Sequence, residues 1–369
     1  MSYDKLSFTA NTYLSPLDIG PGMGETRRMK IGTLEVNGNV FLAPMAGITD
    51  TAFRKVVQQF GVSAVWTEMM NAEGLVKNRR AFLTMDLDGH VVPTVFQIYG
   101  RDPDVIAEAA RVAVDQGAAA VDINMGCPAR KIVFKGYGAA LMQNVSLASR
   151  IVRSVRRAAP VALTVKIRSG WSEQDQNAPE FARAMEAEGA DAVIVHARSR
   201  AVRHSGPASM DILRDVKNAV RIPVIGNGGI TEVHDALDMM KRSGCEGVMV
   251  GRGALGRPWA PGKILKALAK GSPVEGTISL SGVIRTHLRY QLEAIGGLRA
   301  VRRMRKHLVW YSNGLSCGAA FRRQVFRVEE PEEVMQLVEK WFGRMTAQER
   351  TAHQGPCGSN STQMEYPYS

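Results

Sequence analysis

One cysteine stands at the end of an apolar run in "VDINMGCPAR", residues 121–130, where Asn124 is followed by Gly126, Cys127 and Pro128. A thiol held there can give a proton to carbon; a cysteine beside a turn is equally at home as a small buried residue. Pro128 fixes the turn and lacks a backbone donor. Asn124 offers a donor and an acceptor, which suits the edge of a uracil ring. Lys166 lies within "VALTVKIR", between Val165 and Ile167, so its ammonium either points inward or snorkels at the strand end. Beside a flavin it would stabilise the negative charge that develops at N1 and O2 on reduction, and Gln97 could hydrogen-bond the flavin's pyrimidine edge. His196 and Arg198 are two residues apart and share a strand face, a pairing suited to a phosphate or an acidic substrate edge. "GNGGI" (Asn227, Gly228, Gly229) and "GRGAL" (Gly251, Arg252, Gly253) let backbone N–H groups approach a phosphate, with Arg252 adding a charged contact.

These residues need a scaffold that brings strand ends together. Eight short apolar, β-branched runs begin at residues 40, 63, 93, 119, 161, 192, 223 and 247, a spacing that alternates strand with helix. Between them "DPDVIAEAARVAVDQG" starts on acids and Pro103 and stops at Gly117, and two further helical segments stop at Gly189 and Gly244. The rhythm predicts an α/β fold, a (β/α)8 TIM barrel over residues 29–274, with a doubly wound open sheet as the rival. In a barrel the C-terminal strand ends share one mouth. Read in order, they are Pro44-Met45-Ala46, Glu68, Gln97, Asn124 with Cys127, Lys166, His196 with Arg198, and the two glycine loops.

After about residue 275 the strand pattern gives way to four amphipathic segments separated by Gly or Pro, a small helical domain over 275–346. Between residues 285 and 327 it holds ten basic residues, including Arg302, Arg303, Arg305 and Lys306, against one acid, Glu293, a local charge of +9 within a chain of +12. Such a field suits a polyanion, nucleic acid above all; a solvated helix face is the bland reading. Residues 1–28 are expected to be a flexible extension and residues 347–369 a disordered tail. The cysteines Cys127, Cys245, Cys317 and Cys357 lie far apart, without C-x-x-C pairs, so neither a metal site nor a disulfide framework is expected, in keeping with a reducing cytoplasm. No apolar stretch reaches the roughly 18–20 residues that cross a bilayer. A monomer is expected.

The stretches "LAPMAGITDTAFR", "TEMMNAEGL", "FQIYGRDP", "DINMGCPARKIVFKGYGAALM", "VKIRSGW", "HARSRA", "PVIGNGGI", "GVMVGRGALGRPW" and "MRKHLVWYSNGL" together resemble the tRNA-dihydrouridine synthases, the bacterial B-type group, over about residues 28–342. The resemblance implies FMN held by Pro44, Met45, Ala46, Gln97, Lys166, His196, Asn227, Gly228, Gly229, Gly251 and Arg252. It implies NADPH as reductant, hydride delivery to C6 of a tRNA uridine, and Cys127 as the general acid that protonates C5. Asn124 and Arg198 would face the substrate, the helical domain would grip the tRNA, and the target base would be extruded from its stack. Ala197, Ser199, Val202, Gly229 and Asn313 depart from the residues usual at those positions. Two other functions compete: a flavin barrel acting on a free pyrimidine, which leaves the arginine-rich module unused, and a non-catalytic RNA-binding flavoprotein, which leaves Cys127 and Lys166 unused.

Overall fold

The structure is a computed structural model that describes residues 28–78, 90–270, 277–315, 318–343 and 345–346. The expected N-terminal extension up to residue 27 and the expected tail from 347 lie outside the described residues, while Arg28 opens the first strand.

Eight parallel strands close a ring: β3 (Val40–Leu42), β4 (Ala64–Trp66), β6 (Thr94–Tyr99), β7 (Ala120–Asn124), β8 (Ala162–Arg168), β9 (Ala192–His196), β10 (Val224–Asn227) and β11 (Gly247–Val250). Each pairs with its neighbour in chain order, apart from β5 (Met70–Asn71), a two-residue strand that pairs with β6. The pairing of β11 with β3 and of β4 with β6 completes the barrel. The eight apolar runs are therefore its eight strands, and the open-sheet rival is excluded. β7 and β8 are buried along their whole length, as strands covered on both faces must be.

The helices that return the chain follow their local signals. In α3 (Pro103–Asp115) Asp102 caps the backbone N–H groups of Asp104 and Val105, and Pro103 occupies the first turn, where its missing donor is harmless. Asp50 caps α1 (Thr51–Gln58) through the N–H of Phe53. α2 (Ala72–Lys77), α4 (Arg130–Val133), α5 (Val145–Ala158), α6 (Ala178–Ala187), α7 (Met210–Ala219), α8 (Val233–Ser243) and α9 (Ala260–Lys270) complete the outer layer. The largest apolar core lies between strands and helices.

The hairpin of β1 (Arg28–Ile31) and β2 (Leu34–Asn37) has no counterpart among the eight sequence runs. Met29, Ile31, Leu34 and Val36 alternate inward and pack against the inward residues of the lower barrel, among them Phe41, Trp66 and Met249. The hairpin therefore stoppers the N-terminal end of the ring.

The C-terminal segments form α10 (Leu280–Ile295), α11 (Gly297–Tyr311), α12 (Gly318–Val325) and α13 (Pro331–Phe342). Their apolar core includes Phe321, edge-on to Phe342 with ring centroids 5.0 Å apart, and extends to Val56, Phe60 and Trp259 of the barrel. Removing a ring buried as Phe321 is costs about 3–5 kcal/mol. The module is thus seated on α1 rather than tethered beside it. Among the described residues no helix is long and apolar enough to cross a membrane.

Candidate active site

Parity along the strands stacks the polar residues in storeys. On β7 the inward positions are Ala120, Asp122 and Asn124; on β8 they are Ala162, Thr164, Lys166 and Arg168. The lowest storey is apolar and the upper ones carry the chemistry.

Lys166 points inward and is 9 % exposed. Its Nζ donates to Asn227 Oδ1 at 3.0 Å, and Asn227 Nδ2 donates to the Met249 carbonyl at 2.8 Å. One storey below, the fully buried carboxylate of Asp122 accepts from Gln97 Nε2 at 2.6 Å and from the Thr164 hydroxyl. Burial, which opposes charge, lifts the Asp122 carboxyl to about 6 against the pull of its hydrogen bonds and Lys166. Burial, helped by Arg168, lowers Lys166 to about 8, while Asp122 and Cys127 act the other way.

The loop bearing Cys127 hangs from this floor. Gln97 Oε1 accepts from Asn124 Nδ2 at 2.9 Å, and Asn124 Oδ1 accepts from the backbone N–H groups of Gly126 (3.2 Å) and Cys127 (2.9 Å). Asn124 therefore positions the cysteine loop, so its carboxamide is already engaged in a way that composition did not predict. On the other side Arg168 Nε donates to the Gly126 carbonyl at 2.8 Å. Gly138 closes the loop: at φ +59 it lies in the left-handed region, and a side chain there would meet the Cys127 carbonyl at 2.8 Å. Burial raises the Cys127 thiol, outweighing the Ala129 amide, Arg168, Lys131 and Lys166, so it is protonated at neutral pH.

Around the mouth, Arg168, Arg198 and Arg252 converge with His196 and His204. Burial lowers Arg168 to about 10, with Arg198 and Arg252 adding to the shift, and burial followed by Arg252 lowers Arg198. Burial, then Arg168 and Lys166, pushes His196 well below its usual value, and burial with the same arginines takes His204 to about 4. Both imidazoles are neutral at pH 7. Arg198 Nη1 lies 3.3 Å from His196 Nε2. Among the described residues none of the three arginines is ion-paired with a carboxylate. They grip backbone carbonyls of the loop after β9 instead: Arg168 those of Ser199 (2.9 Å) and Arg203 (2.6 Å), Arg198 that of Gly206 (2.9 Å) and Arg252 that of His204 (3.2 Å). Gly228 and Gly229, at φ +127 and +76, sit under this group; a side chain at Gly228 would meet Arg198 and His196 at 3.1 Å. A side chain at Gly251 would touch Ala43 and Met45, so the Pro44-Met45-Ala46 turn adjoins the β11 glycine loop.

The mouth thus brings together Gln97, Asn124, Cys127, Lys166, His196, Arg198, Asn227, Gly228, Gly229, Gly251 and Arg252. The α11 residues behave differently. Arg303 Nε donates to Asp50 Oδ2 at 2.8 Å and its Nη2 to Glu68 Oε2 at 3.1 Å; Lys306 Nζ donates to the Gly47 carbonyl. Gln291 Nε2 also donates to Asp50 Oδ2, at 2.7 Å, and Glu68 accepts from the Gly47 N–H. Arg305 donates to the Val328 carbonyl at 2.9 Å, and Arg302 lies 3.6 Å from Glu329 with more than half of its side chain exposed.

With that geometry in place, comparison with known proteins is direct. Residues 41–346 match the family described as "Dihydrouridine synthase (Dus)". The chain belongs to the dihydrouridine synthase family. It is an enzyme of the oxidoreductase class. It is 39% identical over 318 residues to the probable tRNA-dihydrouridine synthase of Rickettsia prowazekii (strain Madrid E), covering 85% of this chain and 97% of that one. It is 37% identical over 322 residues to tRNA-dihydrouridine synthase B of Xanthomonas campestris pv. campestris, covering 86% and 97%. Among solved structures, histamine dehydrogenase from Rhizobium sp. 4-9 superposes with a TM-score of 0.53 at 12% identity, covering 87% of this chain and 65% of that one. A morphinone reductase variant in complex with tetrahydroNAD gives 0.50 at 9%, covering 65% and 90%. At such identity the likeness is one of fold.

Within this family member, sequence reasoning passed over Asp122, Arg168, His204 and Asp50. Asp122 and Arg168 carried a readable signal: each lies two residues from a named site residue, Asn124 or Lys166, and so on the same inward face. His204 sits in a loop, and beyond its local cap on Phe53, Asp50 meets Gln291 and Arg303 only through the tertiary fold.

Proposed function

We propose that this enzyme uses FMN and NADPH to reduce the C5–C6 double bond of uridines in tRNA to dihydrouridine. The observation that carries the reading is the group of Arg168, Arg198 and Arg252 around the mouth, held by backbone carbonyls, above a hydrogen-bonded floor in which Lys166 neighbours Asp122 and from which a protonated thiol is suspended. Cations held by carbonyls, with no described carboxylate among them, keep their charge for an anion that arrives from outside.

The donor set fits a flavin mononucleotide. Gly228, Gly229, Gly251, Arg252 and neutral His196 suit its phosphate, Lys166 and Gln97 suit its pyrimidine edge, and Pro44, Met45 and Ala46 form the neighbouring wall. Asn227 holds Lys166 in position for that contact. Bound FMN, reduced by NADPH, would supply the hydride that adds to C6. Cys127 supplies the proton to C5, and burial favours this by keeping the thiol protonated until the pyrimidine arrives. The thiolate left behind is stabilised by Arg168, Lys131 and Lys166 and takes its proton back from solvent. Asn124 sets the reach of Cys127 and meets the uracil once its link to Gln97 opens. Arg198 faces the substrate side of the mouth. On the module, Arg302 is the most outward of the four predicted contacts and the one suited to meet the tRNA, whereas Arg303, Arg305 and Lys306 are engaged within the fold.

The test is direct. Purified protein is expected to carry an FMN absorption spectrum that NADPH bleaches, and to form dihydrouridine in unmodified tRNA. Cys127→Ala should keep flavin and its reduction by NADPH while forming dihydrouridine about 10²–10⁴-fold more slowly. Near-normal product formation by that variant would refute the proton-donor role, and turnover of free uracil or uridine in preference to tRNA would refute the substrate.

A further inference from the structure

Among the described residues just two Phe, Tyr or Trp side chains are exposed: Phe134, at 90 %, and Phe326, at 58 %. Sequestering such a ring is worth about 1.5–3 kcal/mol, so leaving two in water calls for a reason. Single exposed apolar residues are common on protein surfaces. What distinguishes these two is their surroundings.

Phe134 follows α4, in the segment that closes over Cys127. Arg130, Lys131 and Lys135 beside it are exposed, and Arg101 lies next to Gly136. From Cys127 to Gln143 the sequence contains no acid. The segment is pinned on both sides of the ring, so Phe134 is turned outward by a fixed backbone. Ile132 is buried, Ala139 N–H donates to the Cys127 carbonyl at 3.1 Å, and the Tyr137 hydroxyl donates to Glu73 Oε1 at 3.1 Å. Phe326 follows α12 on the helical module. Arg323 and Arg327 flank it and are exposed, and residues 318–328 also contain no acid. One ring therefore lies in the segment that folds back on the cysteine loop and the other on the module, each flanked by exposed cations, with Glu329 and Glu330 following the second.

An aromatic face framed by unpaired positive charge is the combination that holds an unpaired nucleotide: the base stacks on the ring and its phosphate meets the cations. We propose that Phe134 and Phe326 are stacking platforms for unpaired bases of the RNA, one on the barrel and one on the module. The inference rests on the tRNA reading above and deepens it, because it names side chains that recognise bases rather than phosphates.

The experiment uses the full FMN-loaded chain and an unmodified tRNA transcript. Phe134→Ala and Phe326→Ala should each weaken the Kd by about 5- to 150-fold, with flavin content retained and the salt dependence of binding unchanged, since a ring carries no charge. Phe134→Leu and Phe326→Leu, which keep apolar bulk without a π face, should behave like the Ala variants. Phe134→Trp and Phe326→Trp should restore affinity, and their added indole emission should be quenched as tRNA saturates. Affinities within about twofold of wild type for both Ala variants, full affinity in the Leu variants, or unquenched indole would each overturn the proposal. So would a loss confined to binding of anionic lipid vesicles. If wild type binds tRNA and makes dihydrouridine while the variants bind normally, this inference alone fails; if wild type neither binds nor modifies tRNA, the functional reading fails with it.

Discussion

The arginines at the barrel mouth and those on α11 belong to the same surplus of positive charge, yet their partners differ. At the mouth, Arg168, Arg198 and Arg252 are held by backbone carbonyls, which orient a guanidinium without cancelling its charge. On α11, Arg303 meets two carboxylates of the barrel rim, Asp50 and Glu68, and Lys306 meets the Gly47 carbonyl between them. The first arrangement preserves a field for a ligand. The second uses the field to fasten one part of the molecule to another. Charge counted along the sequence does not distinguish these uses; the identity of the acceptor does.

Breaking the mouth should have the largest effect. Lys166→Met removes the inward ammonium and leaves Asp122 without its neighbouring cation. It should lower dihydrouridine formation by about 10²–10³-fold and weaken flavin retention, both readable from product assays and FMN titration. The seam between α11 and the barrel should fail next, on acidification. His287 and His307 are buried between α1, α10 and α11 with ring centroids 4.4 Å apart, and His307 stacks on Phe53 at 5.3 Å. Burial, reinforced by Lys306 and opposed by Asp50, depresses His287 to about 4; burial, then His287, Lys306 and Arg303, takes His307 well below its usual value. Groups whose folded pKa is depressed below the unfolded value near 6.5 stabilise the fold at neutral pH and lose that contribution as pH falls from about 6.5 toward 4. For His287 alone this amounts to about 2 kcal/mol at pH 5. Denaturant melts at pH 7.5 and pH 5 should differ accordingly, and substituting both histidines by Phe should flatten the profile.

Arg303→Met should cost at most about 1 kcal/mol, because a third of its side chain is in water and the ion pairs are screened. A double-mutant cycle with Glu68→Gln would show whether the pair is coupled. Arg302→Met should leave stability within about 0.5 kcal/mol, yet lower the salt slope of RNA binding by about 0.7–0.9. An Arg303 variant that altered the salt slope as much as the Arg302 variant would erase the distinction between fastening and attracting.

Much of the barrel was legible because a parallel strand covered on both faces has to be a continuous apolar run, and eight such runs at helical spacing admit few folds. Helix ends were legible where a local signal acts, as with the capping side chain of Asp102 and the left-handed backbone of Gly244. The hairpin β1–β2 escaped because its four-residue strands are too short for alternation to stand out. The site residues were legible where a strand ends in an unusual type, as at Cys127 and Lys166. The hydrogen bonding of Asn124 was not, since its acceptors and donors come from Gln97 and the next turn of chain. The partners of Arg303 lie 235 or more residues away in sequence, beyond anything spacing conveys.

The small hairpin, with the side chains of the lower ring, also leaves the barrel open at one end alone. With Met29, Ile31, Leu34 and Val36 driven into the bottom of the ring, the barrel is a well with a single rim. Whatever reaches Lys166 and Cys127 descends past the loop after β9 and the edge of α11, and departs by the same route. On the function proposed above, the electron donor and the RNA both use that one rim.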